Sequence, residues 1–505
     1  MKITIMDTTL LDGEQTSGVS FTATEKLNIA KVLLEELNVD RIEVASARVS
    51  EGEYQGARKI FTWAKEHGHI DRVEVLGFID GDISLKWIKD AGGKVNNLLM
   101  KGSLKHCQLQ LKKTPEQHIA DVKEVLRLAR EMGIRMNVYF EDWSNGMRNS
   151  PEYVYQLLDA LKDESIERFM LPDTLGILNQ QEVYDFCLDM VKRYPELNFD
   201  FHAHNDYDLA TANVFSAIRA GISGIHTTLN GLGERAGNVP LSSVIGVVSD
   251  HFKYEMNVRE DRLYHASKML ESFSGVRIPS NKPLIGESVF TQTSGIHADG
   301  DSKDDLYFND LLPERFGRKR SYALGKMSGK ASILKNLEEL GIELSKEDAK
   351  LVTERVIELG DKKEIITKED LPYIISDVLR GKRVEERIKI RNFQLSVARG
   401  LRSVATVSIE IDCQVYEETA SGDGQYDAFM KALWKIYDKL ERKHPVLTDY
   451  VVSIPPGGKT DALVQCAITW NYEGNLIKTR ALDPDQTVAA IKCTTRMLNI
   501  IEKDK

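Results

Sequence analysis

Short apolar runs and longer segments of helical periodicity alternate regularly over the first half of the chain. In Glu116–Met132, for example, Val122, Val125 and Ala129 recur at the three- and four-residue spacing of one helical face. Several of the short runs instead carry apolar residues on consecutive positions, which is typical of strands buried on both faces. Eight strands are predicted on this basis: Ile3–Met6, Arg41–Ala45, Arg72–Phe78, Val95–Met100, Arg135–Phe140, Arg168–Leu171, Asn198–His204 and Gly224–Leu229.

The alternation of strand and helix predicts the architecture of this half of the chain. A helix between two strands returns the chain to the same end of the sheet, so successive strands run parallel. Eight repeats within about 250 residues are the number that closes such a sheet into a (β/α)8 barrel, or TIM barrel. We therefore predict a barrel over residues 1–252.

Residues 253–388 follow a different pattern. Helical periodicity is present at Arg259–Ser272, Ala331–Leu340 and Lys346–Gly360, without strands between these segments. A stretch rich in glycine, aspartate and histidine, Ser294–Asp301, interrupts the helical pattern. We interpret this region as helical linker subdomains that carry a loop.

Residues 389–505 show a third pattern and are predicted to form an α+β domain. Apolar and polar residues alternate from Val407 to Val415, as in a half-buried strand of an antiparallel sheet. An amphipathic helix at Tyr426–Lys443 follows, and then a hairpin between Leu463 and Ala481. The last predicted element is a helix at Thr487–Ile501.

Composition and charge exclude several classes of function. The 505 residues contain 67 Lys and Arg against 77 Asp and Glu, a net charge of −10, which argues against a nucleic-acid-binding surface. No apolar run approaches the ~20 residues of a membrane-spanning helix, and the N-terminus lacks a signal-peptide pattern. The five cysteines show no CxxC spacing, as suits a reducing compartment. We therefore expect a cytoplasmic protein with no membrane or nucleic-acid partner.

The seventh predicted strand ends in two histidines, His202 and His204, at the edge where barrels place their active sites. Residues two apart on a strand share a face, so both imidazoles can reach one metal ion. Asp12, just past the first strand, and Asn238, past the eighth, are the candidate oxygen ligands. The alternative is a hydrogen-bonded pair of histidines without a metal.

Three further positions could take part in chemistry. Glu141 ends the fifth strand and could act as a general acid or base, although a salt-bridged carboxylate at the rim remains the alternative. Thr174 follows the sixth strand. His297 lies in the glycine-rich loop, and a loop that closes over a barrel mouth is a natural source of a base, whereas most loop histidines are simply solvated.

The sequence resembles the α-isopropylmalate synthase family, which also includes citramalate and homocitrate synthases. The resemblance spans essentially the whole chain. It is carried by DTTLxDGEQ at Asp7–Gln15, FHAHND at Phe201–Asp206, NGLGERAGN at Asn230–Asn238, GIHADG at Gly295–Gly300, LGKxSGK at Leu324–Lys330, GDGQYDA at Gly422–Ala428 and GGKTDALV at Gly457–Val464.

This resemblance implies an acyltransferase that condenses acetyl-CoA with a 2-oxo acid and then hydrolyses the thioester, at the start of branched-chain amino-acid biosynthesis. It implies a divalent metal (Mg, Mn or Zn) on Asp12, His202 and His204, which polarises the ketone of the oxo acid. It further implies that His297 removes the methyl proton of acetyl-CoA. Glu141 and Thr174 match positions that line the family's site, and Tyr307 matches a tyrosine of the family's lid.

The pocket expected near the third to fifth strands indicates the substrate. Leu76, Leu99 and Tyr139 are bulky and leave room for a small oxo acid such as pyruvate, which favours a citramalate synthase. One methylene is worth only ~1–3 kcal/mol of discrimination, so 2-isopropylmalate synthase, acting on 2-oxoisovalerate, is the alternative.

The last 117 residues resemble the family's regulatory domain, which implies feedback by a branched-chain amino acid and a homodimer. Tyr426 and Asp427 open one predicted helix, while Pro484 and Gln486 precede another. Paired helix starts of this kind suit the carboxylate of leucine or isoleucine.

One position departs from the family. The family's first motif has arginine where this chain has Leu11, and the resemblance implies that this arginine helps to bind the oxo acid. Losing one such charged group commonly costs about 10²–10³ in rate. Two alternatives stay open: Arg235 or a lysine supplies the missing cation, or the chain is a catalytically impaired, amino-acid-sensing regulatory subunit.

Overall fold

The computed structural model describes residues 1–301, 303, 306–361, 366, 368–379, 387–453 and 464–502. By its internal contacts the chain divides into two compact units. The first comprises Met1–Gln292 with Gly300–Ser321, and the second comprises Thr293–Asp299 with Tyr322–Lys505. The three-domain division predicted at residues 252 and 388 stays a prediction. In the described part of the chain, no helix is long and apolar enough to cross a membrane.

Eight parallel strands form a closed barrel in the first unit, with β8 paired to β1. The predicted (β/α)8 fold is confirmed, and each predicted strand is present with its ends moved by one or two residues. The strands are β1 Thr4–Asp7, β2 Arg41–Ser46, β3 Val73–Phe78, β4 Val95–Lys101, β5 Arg135–Glu141, β6 Ile166–Asp173, β7 Phe199–Ala203 and β8 Gly224–Thr227.

Helices surround the barrel and begin where the sequence supplies caps. Thr22 and Thr114 each close a capping box, in which the threonine side chain and the residue three positions on satisfy each other's backbone N–H groups. The helices are α1 Ala23–Lys31, α2 Glu51–Glu66, α3 Ile83–Ala91, α4 Leu104–Leu109, α5 Pro115–Met132, α6 Trp143–Asn149, α7 Pro151–Leu161, α8 Gln180–Arg193, α9 Ala210–Arg219, α10 Leu241–Gly246 and α11 Leu263–Ser274.

The barrel strands separate an apolar outside from a polar inside. On β2, Ile42 and Val44 join the large hydrophobic cluster between the strands and the helices, while Arg41 and Glu43 take part in a buried polar network with residues of other strands. Inside the barrel, Met6, Tyr139 and Met170 form a small apolar cluster that is separate from that outer core. The polar groups inside the barrel must therefore satisfy one another.

Between α11 and Ile388, the described residues form two short strands and four α-helices. These are β9 Thr291–Gln292, α12 Gly295–Asp301, β10 Ser321–Tyr322, α13 Lys330–Glu339, α14 Lys346–Asp361 and α15 Leu371–Val378. The prediction of a loop at Ser294–Asp301 is wrong, since α12 occupies this stretch. Glycine and aspartate lowered its helical propensity, but two glycines in seven residues do not exclude two turns of helix.

The C-terminal region consists of two successive units of three antiparallel strands and a helix. The first is β11 Ile388–Ser396, β12 Ser403–Ile411, β13 Gln414–Gly422 and α16 Gln425–Lys439; the second is β14 Val446–Ser453, β15 Val464–Tyr472, β16 Asn475–Asp483 and α17 Gln486–Ile501. The predicted α+β domain is confirmed. The single strand predicted from Val407 to Val415 is wrong, because Asp412 and Cys413 adopt positive φ and turn the chain into a hairpin.

Gly146 lies near the start of α6, where the helix packs closely against the barrel, and a substitution there tests this packing. A Cβ at Gly146 would lie 2.1 Å from the backbone oxygen of Gly102, which cannot move independently of β4. We expect Gly146→Ala to lower the free energy of unfolding by about 1–3 kcal/mol. The matched control is Gly52→Ala in α2, where the nearest atom is 3.6 Å away; there helix propensity predicts a gain of up to about 1 kcal/mol. Thermal denaturation of both variants measures the difference, and equal midpoints would contradict this packing.

Candidate active site at the mouth of the barrel

Two histidines, an aspartate and an asparagine converge at the carboxyl ends of the barrel strands. The Nε2 atoms of His202 and His204 are 3.2 Å apart, and Asp12 Oδ2 lies 3.6 Å from His202 Nε2. The Asn238 amide nitrogen lies 3.3 Å from both Asp12 Oδ2 and His202 Nε2. The structure thus brings together the four residues predicted as metal ligands, although their role stays a prediction.

Backbone geometry fixes the two loops that carry Asp12 and Asn238. The carbonyl oxygen of Thr8 accepts hydrogen bonds from the N–H groups of Leu11, Asp12 and Gly13, which turns the chain sharply after β1. The Thr8 hydroxyl donates to Asp12 Oδ2 at 2.7 Å. Asn238 forms an isolated antiparallel bridge with His204. Both oxygen donors are therefore held by main-chain contacts to the barrel.

The two histidines are uncharged at neutral pH, which favours the binding of a cation by their ring nitrogens. Burial lowers the pKa of His202 to about 3 and that of His204 to about 4, because a charged imidazolium loses its hydration inside the barrel. Both rings are therefore neutral at neutral pH, and each has one ring nitrogen with a lone pair.

Most distances between the four donors fit a divalent ion, and the 3.6 Å between Asp12 Oδ2 and His202 Nε2 is slightly longer. Ligands about 2.1 Å from one ion lie about 3.0–3.4 Å from each other in octahedral or tetrahedral geometry. Within the described residues, no set of three or more His, Cys, Asp and Glu side chains is by itself arranged as a metal site. Asn238 Oδ1 is buried without a hydrogen-bond partner, and an amide flip would turn it toward Asp12 and His202. A divalent ion at this position would therefore need the Asn238 oxygen as a ligand in addition to Asp12, His202 and His204.

Beneath the four donors lies a buried network that sequence reasoning missed. His226 Nδ1 is 3.2 Å from His202 Nδ1 and 3.1 Å from the Tyr139 hydroxyl. The Tyr139 hydroxyl donates to Glu43 Oε2 at 3.3 Å, and burial raises the pKa of Glu43 well above its usual range. The charged residues Arg41 and Glu43, two positions apart on β2, were the available signal, since a strand facing only apolar neighbours would not carry them.

The predicted substrate residues line the adjacent part of the barrel interior. Leu76 and Leu99 pack against the cluster of Met6, Tyr139 and Met170. Tyr139 is 5% exposed, with its ring edge-on to His202 at a centroid distance of 6.0 Å. The structure therefore brings these three side chains together next to the histidines.

Glu141 and Thr174 both have protein partners at the rim. Glu141 forms an ion pair with Lys101 of β4, which is the salt-bridged alternative considered for this carboxylate. The Thr174 hydroxyl accepts a hydrogen bond from the N–H of Asp142 at 2.9 Å. The Lys101 pair does not decide whether Glu141 also acts as an acid or base, so that role stays a prediction.

Leu11 and Arg235 have different surroundings. Leu11 is 7% exposed yet belongs to none of the hydrophobic clusters formed by the described residues, as expected of an apolar side chain next to a polar site. Arg235 donates to Asp206 Oδ1 at 2.8 Å and to the Thr174 carbonyl at 2.8 Å, and it pairs with Glu234. The cation proposed to replace the missing arginine is thus engaged by two carboxylates.

The two remaining predicted catalytic residues fall in different units. His297 lies on α12 and is grouped with the second unit, whereas Tyr307 belongs to the first, with its ring against Gly300. The roles of both residues stay predictions.

The predicted allosteric residues lie at the starts of α16 and α17. The Tyr426 and Thr494 hydroxyls form a hydrogen bond at 2.7 Å, and Thr487 donates to the Gln425 side chain at 3.1 Å, which joins the two helices. Asp427 Oδ2 accepts from the Asp423 N–H at 2.9 Å, and a hydrogen bond from Lys431 lowers the pKa of Asp427. Pro484 and Gln486 are exposed. The motif at 457–464 lies outside the described residues apart from its last position.

Comparison with known proteins extends over the whole chain. Three family models match in succession: HMGL-like over residues 2–270, Homocitrate synthase post-HMGL domain-like over 284–364, and LeuA allosteric (dimerisation) domain over 365–502. Among solved structures, a hydroxymethylglutaryl-CoA lyase from Pseudomonas aeruginosa covers 55% of this chain and 94% of its own, at 18% identity and a TM-score of 0.47.

Two curated relatives are similar over nearly their full length. The (R)-citramalate synthase CimA of Methanocaldococcus jannaschii is 31% identical over 505 residues, which cover 99% of this chain and 100% of the relative. The 2-isopropylmalate synthase of the same organism is 31% identical over 512 residues, with 99% and 95% covered. The chain therefore belongs to the HMGL-like/LeuA family of acyl-CoA-condensing transferases, which join a 2-oxo acid to acetyl-CoA in amino-acid biosynthesis.

Proposed function

We propose that the protein is a citramalate synthase, which condenses pyruvate with acetyl-CoA and water to give citramalate and free CoA. The observation that carries this proposal is the position of the Leu76, Leu99 and Tyr139 side chains beside His202. A substrate whose oxo group is held at the histidines would direct its side chain toward these bulky residues. The methyl group of pyruvate is small enough to fit there.

Asp12, His202, His204 and Asn238 would hold a divalent ion, and such an ion supplies a Lewis acid for the ketone of the oxo acid. The chain's own contribution is to hold two neutral imidazoles and one carboxylate in a buried site. Because these groups are fixed before substrate binds, little reorganisation is needed during the reaction.

Proton transfer in the reaction is assigned to three further residues. We propose that His297 removes the methyl proton of acetyl-CoA and that Tyr307 is a further catalytic residue. Glu141, which forms an ion pair with Lys101, would accept a hydrogen bond from water or substrate at the rim. Thr174 would fix the oxo-acid carboxylate with its hydroxyl.

Regulation is proposed for the C-terminal domain. The start of α16, which has no side-chain cap, would offer backbone N–H groups to an amino-acid carboxylate, and Asp427 would offer a charge to its ammonium group. We propose isoleucine, the end product of a citramalate pathway, as the inhibitor and a homodimer as the assembly. Leucine is the alternative if the substrate is 2-oxoisovalerate.

A second candidate function rests on Leu11. A buried leucine beside Asp12 supplies no charge to the substrate, and Arg235 already pairs with Asp206 and Glu234. On this alternative the chain senses an amino acid and regulates an active partner without catalysing the reaction itself. Absence of CoA release from a metal-loaded, amino-acid-binding protein would favour it.

The metal assignment predicts that His202→Ala/His204→Ala abolishes both metal retention and CoA release, because two of the four donors are removed. The control is His265→Ala, whose side chain is 67% exposed on α11. Elemental analysis after dialysis against Mn²⁺ measures bound metal per chain. Native metal content in the double variant would contradict the assignment.

The pocket assignment predicts a change in substrate preference for Leu99→Ala. The space of about three methylene groups should move the ratio of kcat/KM for 2-oxoisovalerate and pyruvate about 10–200-fold toward the larger acid. Leu109→Ala, at a 69% exposed position on α4, should leave this ratio unchanged. If both variants keep the native ratio, Leu99 does not contact the substrate.

The regulatory assignment predicts that isoleucine inhibits CoA release and that Asp427→Ala weakens this inhibition about tenfold, the effect of losing one charged hydrogen bond. Asp438→Ala serves as the control, because this residue is on the same helix with its side chain 69% exposed. Inhibition curves and calorimetric titration of the full chain measure both effects. Binding of neither isoleucine nor leucine would refute the regulatory role.

A further inference from the structure

A chain of hydrogen bonds runs from the buried carboxylate of Asp200 to the proposed metal ligand His202. Asp200 Oδ2 is 3.1 Å from His226 Nε2, and His226 Nδ1 is 3.2 Å from His202 Nδ1. All three side chains are buried, with Asp200 at 0% and His226 at 1% exposure. His226 therefore touches the ligand on the side of its ring that faces away from Asp12 and His204.

Asp200 is an anion that can only accept hydrogen bonds. Arg41 lies 2.5 Å from Asp200 Oδ2 and Arg168 lies 2.9 Å from Oδ1, so each carboxylate oxygen is paired with a guanidinium that compensates its charge. Gly224 of β8 makes room for the group, because a Cβ there would lie 1.7 Å from Asp200 Oδ1. The register of β7 with β8 thus places this carboxylate permanently beside His226.

The anion determines which nitrogens carry hydrogen. His226 Nε2 must be the donor to Asp200, so in the neutral ring Nδ1 is an acceptor. Since the Tyr139 hydroxyl donates to Glu43, the His226 Nδ1 lone pair is available to the N–H of His202 Nδ1. Nε2 of His202 is then left without hydrogen, and it is this atom that faces His204, Asp12 and Asn238.

We propose that His226 is a positioning residue, which locks His202 in the tautomer and ring orientation that present the Nε2 lone pair to a metal ion. The inference rests on the proposed metal site and extends it to a residue that touches neither metal nor substrate. Groups of this kind behind a ligating histidine typically contribute 10–100-fold to metal affinity.

The test compares His226→Phe, His226→Asn and His226→Gln in the full chain. Phenylalanine keeps a ring but has no acceptor, asparagine places an oxygen near the position of Nδ1, and glutamine places it near that of Nε2. Calorimetric titration of each metal-free protein with Mn²⁺ alone measures its affinity for this ion. We expect about 10–100-fold weaker binding for His226→Phe and recovery of most of the loss in His226→Asn but not in His226→Gln. The ligand-field spectrum of bound Co²⁺ reports the coordination of His202 independently of activity.

The outcomes separate the positioning role from the metal site itself. If the native chain binds Mn²⁺ and His226→Phe binds it with the same affinity, the role of His226 is overturned but the metal site is not. Should His226→Phe not fold, the asparagine and glutamine variants decide, and equal Mn²⁺ affinities in these two would overturn the role. Failure of the native chain to bind Mn²⁺ refutes the proposed function rather than the hydrogen-bond chain.

Discussion

The ion pair between Arg41 and Asp200, with Arg168 on the second carboxylate oxygen, is the interaction on which the barrel interior depends. A closed barrel of eight strands leaves an interior filled by side chains, so a charge placed there cannot be hydrated. Each buried charge must instead be compensated by another. Arg41 also reaches Glu74 at 3.1 Å, which joins β2, β3 and β7 through a single guanidinium.

The ion pairs that compensate the charge of Asp200 inside the barrel also influence the histidines at the barrel mouth. Because Asp200 stays ionised, His226 donates a hydrogen bond to it. In the proposed arrangement His226 in turn accepts one from His202. The neutral histidines, Asp12 and Asn238 are the groups that we propose as ligands of a divalent cation. In the proposed function, the apolar cluster around Tyr139 limits the size of the oxo acid. Fold stability and site geometry thus rest on the same buried groups.

The sequence predicted the parts of this account that depend on local pattern. Eight apolar runs separated by helical segments indicated the barrel, and alternation on β7 put His202 and His204 on one face. His226 and Glu43 were missed because their roles depend on which strands are neighbours and in which register, and neither is encoded locally. The alternation of apolar and polar residues continues past Asp412, and the sequence therefore predicted one strand where the structure has a hairpin. A two-residue turn can preserve the alternation from one strand of a hairpin to the next. Helix α12 was missed because glycine lowers propensity without forbidding a helix that tertiary contacts stabilise.

Release of free CoA from acetyl-CoA by the full-length chain, measured with Mn²⁺ and each oxo acid in turn, tests the central claim most directly. The account predicts release that requires an oxo acid, with kcat/KM for pyruvate exceeding that for 2-oxoisovalerate by at least about tenfold. It also predicts that the native residue Leu11 permits turnover. No oxo-acid-dependent release from the metal-loaded protein, or a preference for 2-oxoisovalerate, would contradict it.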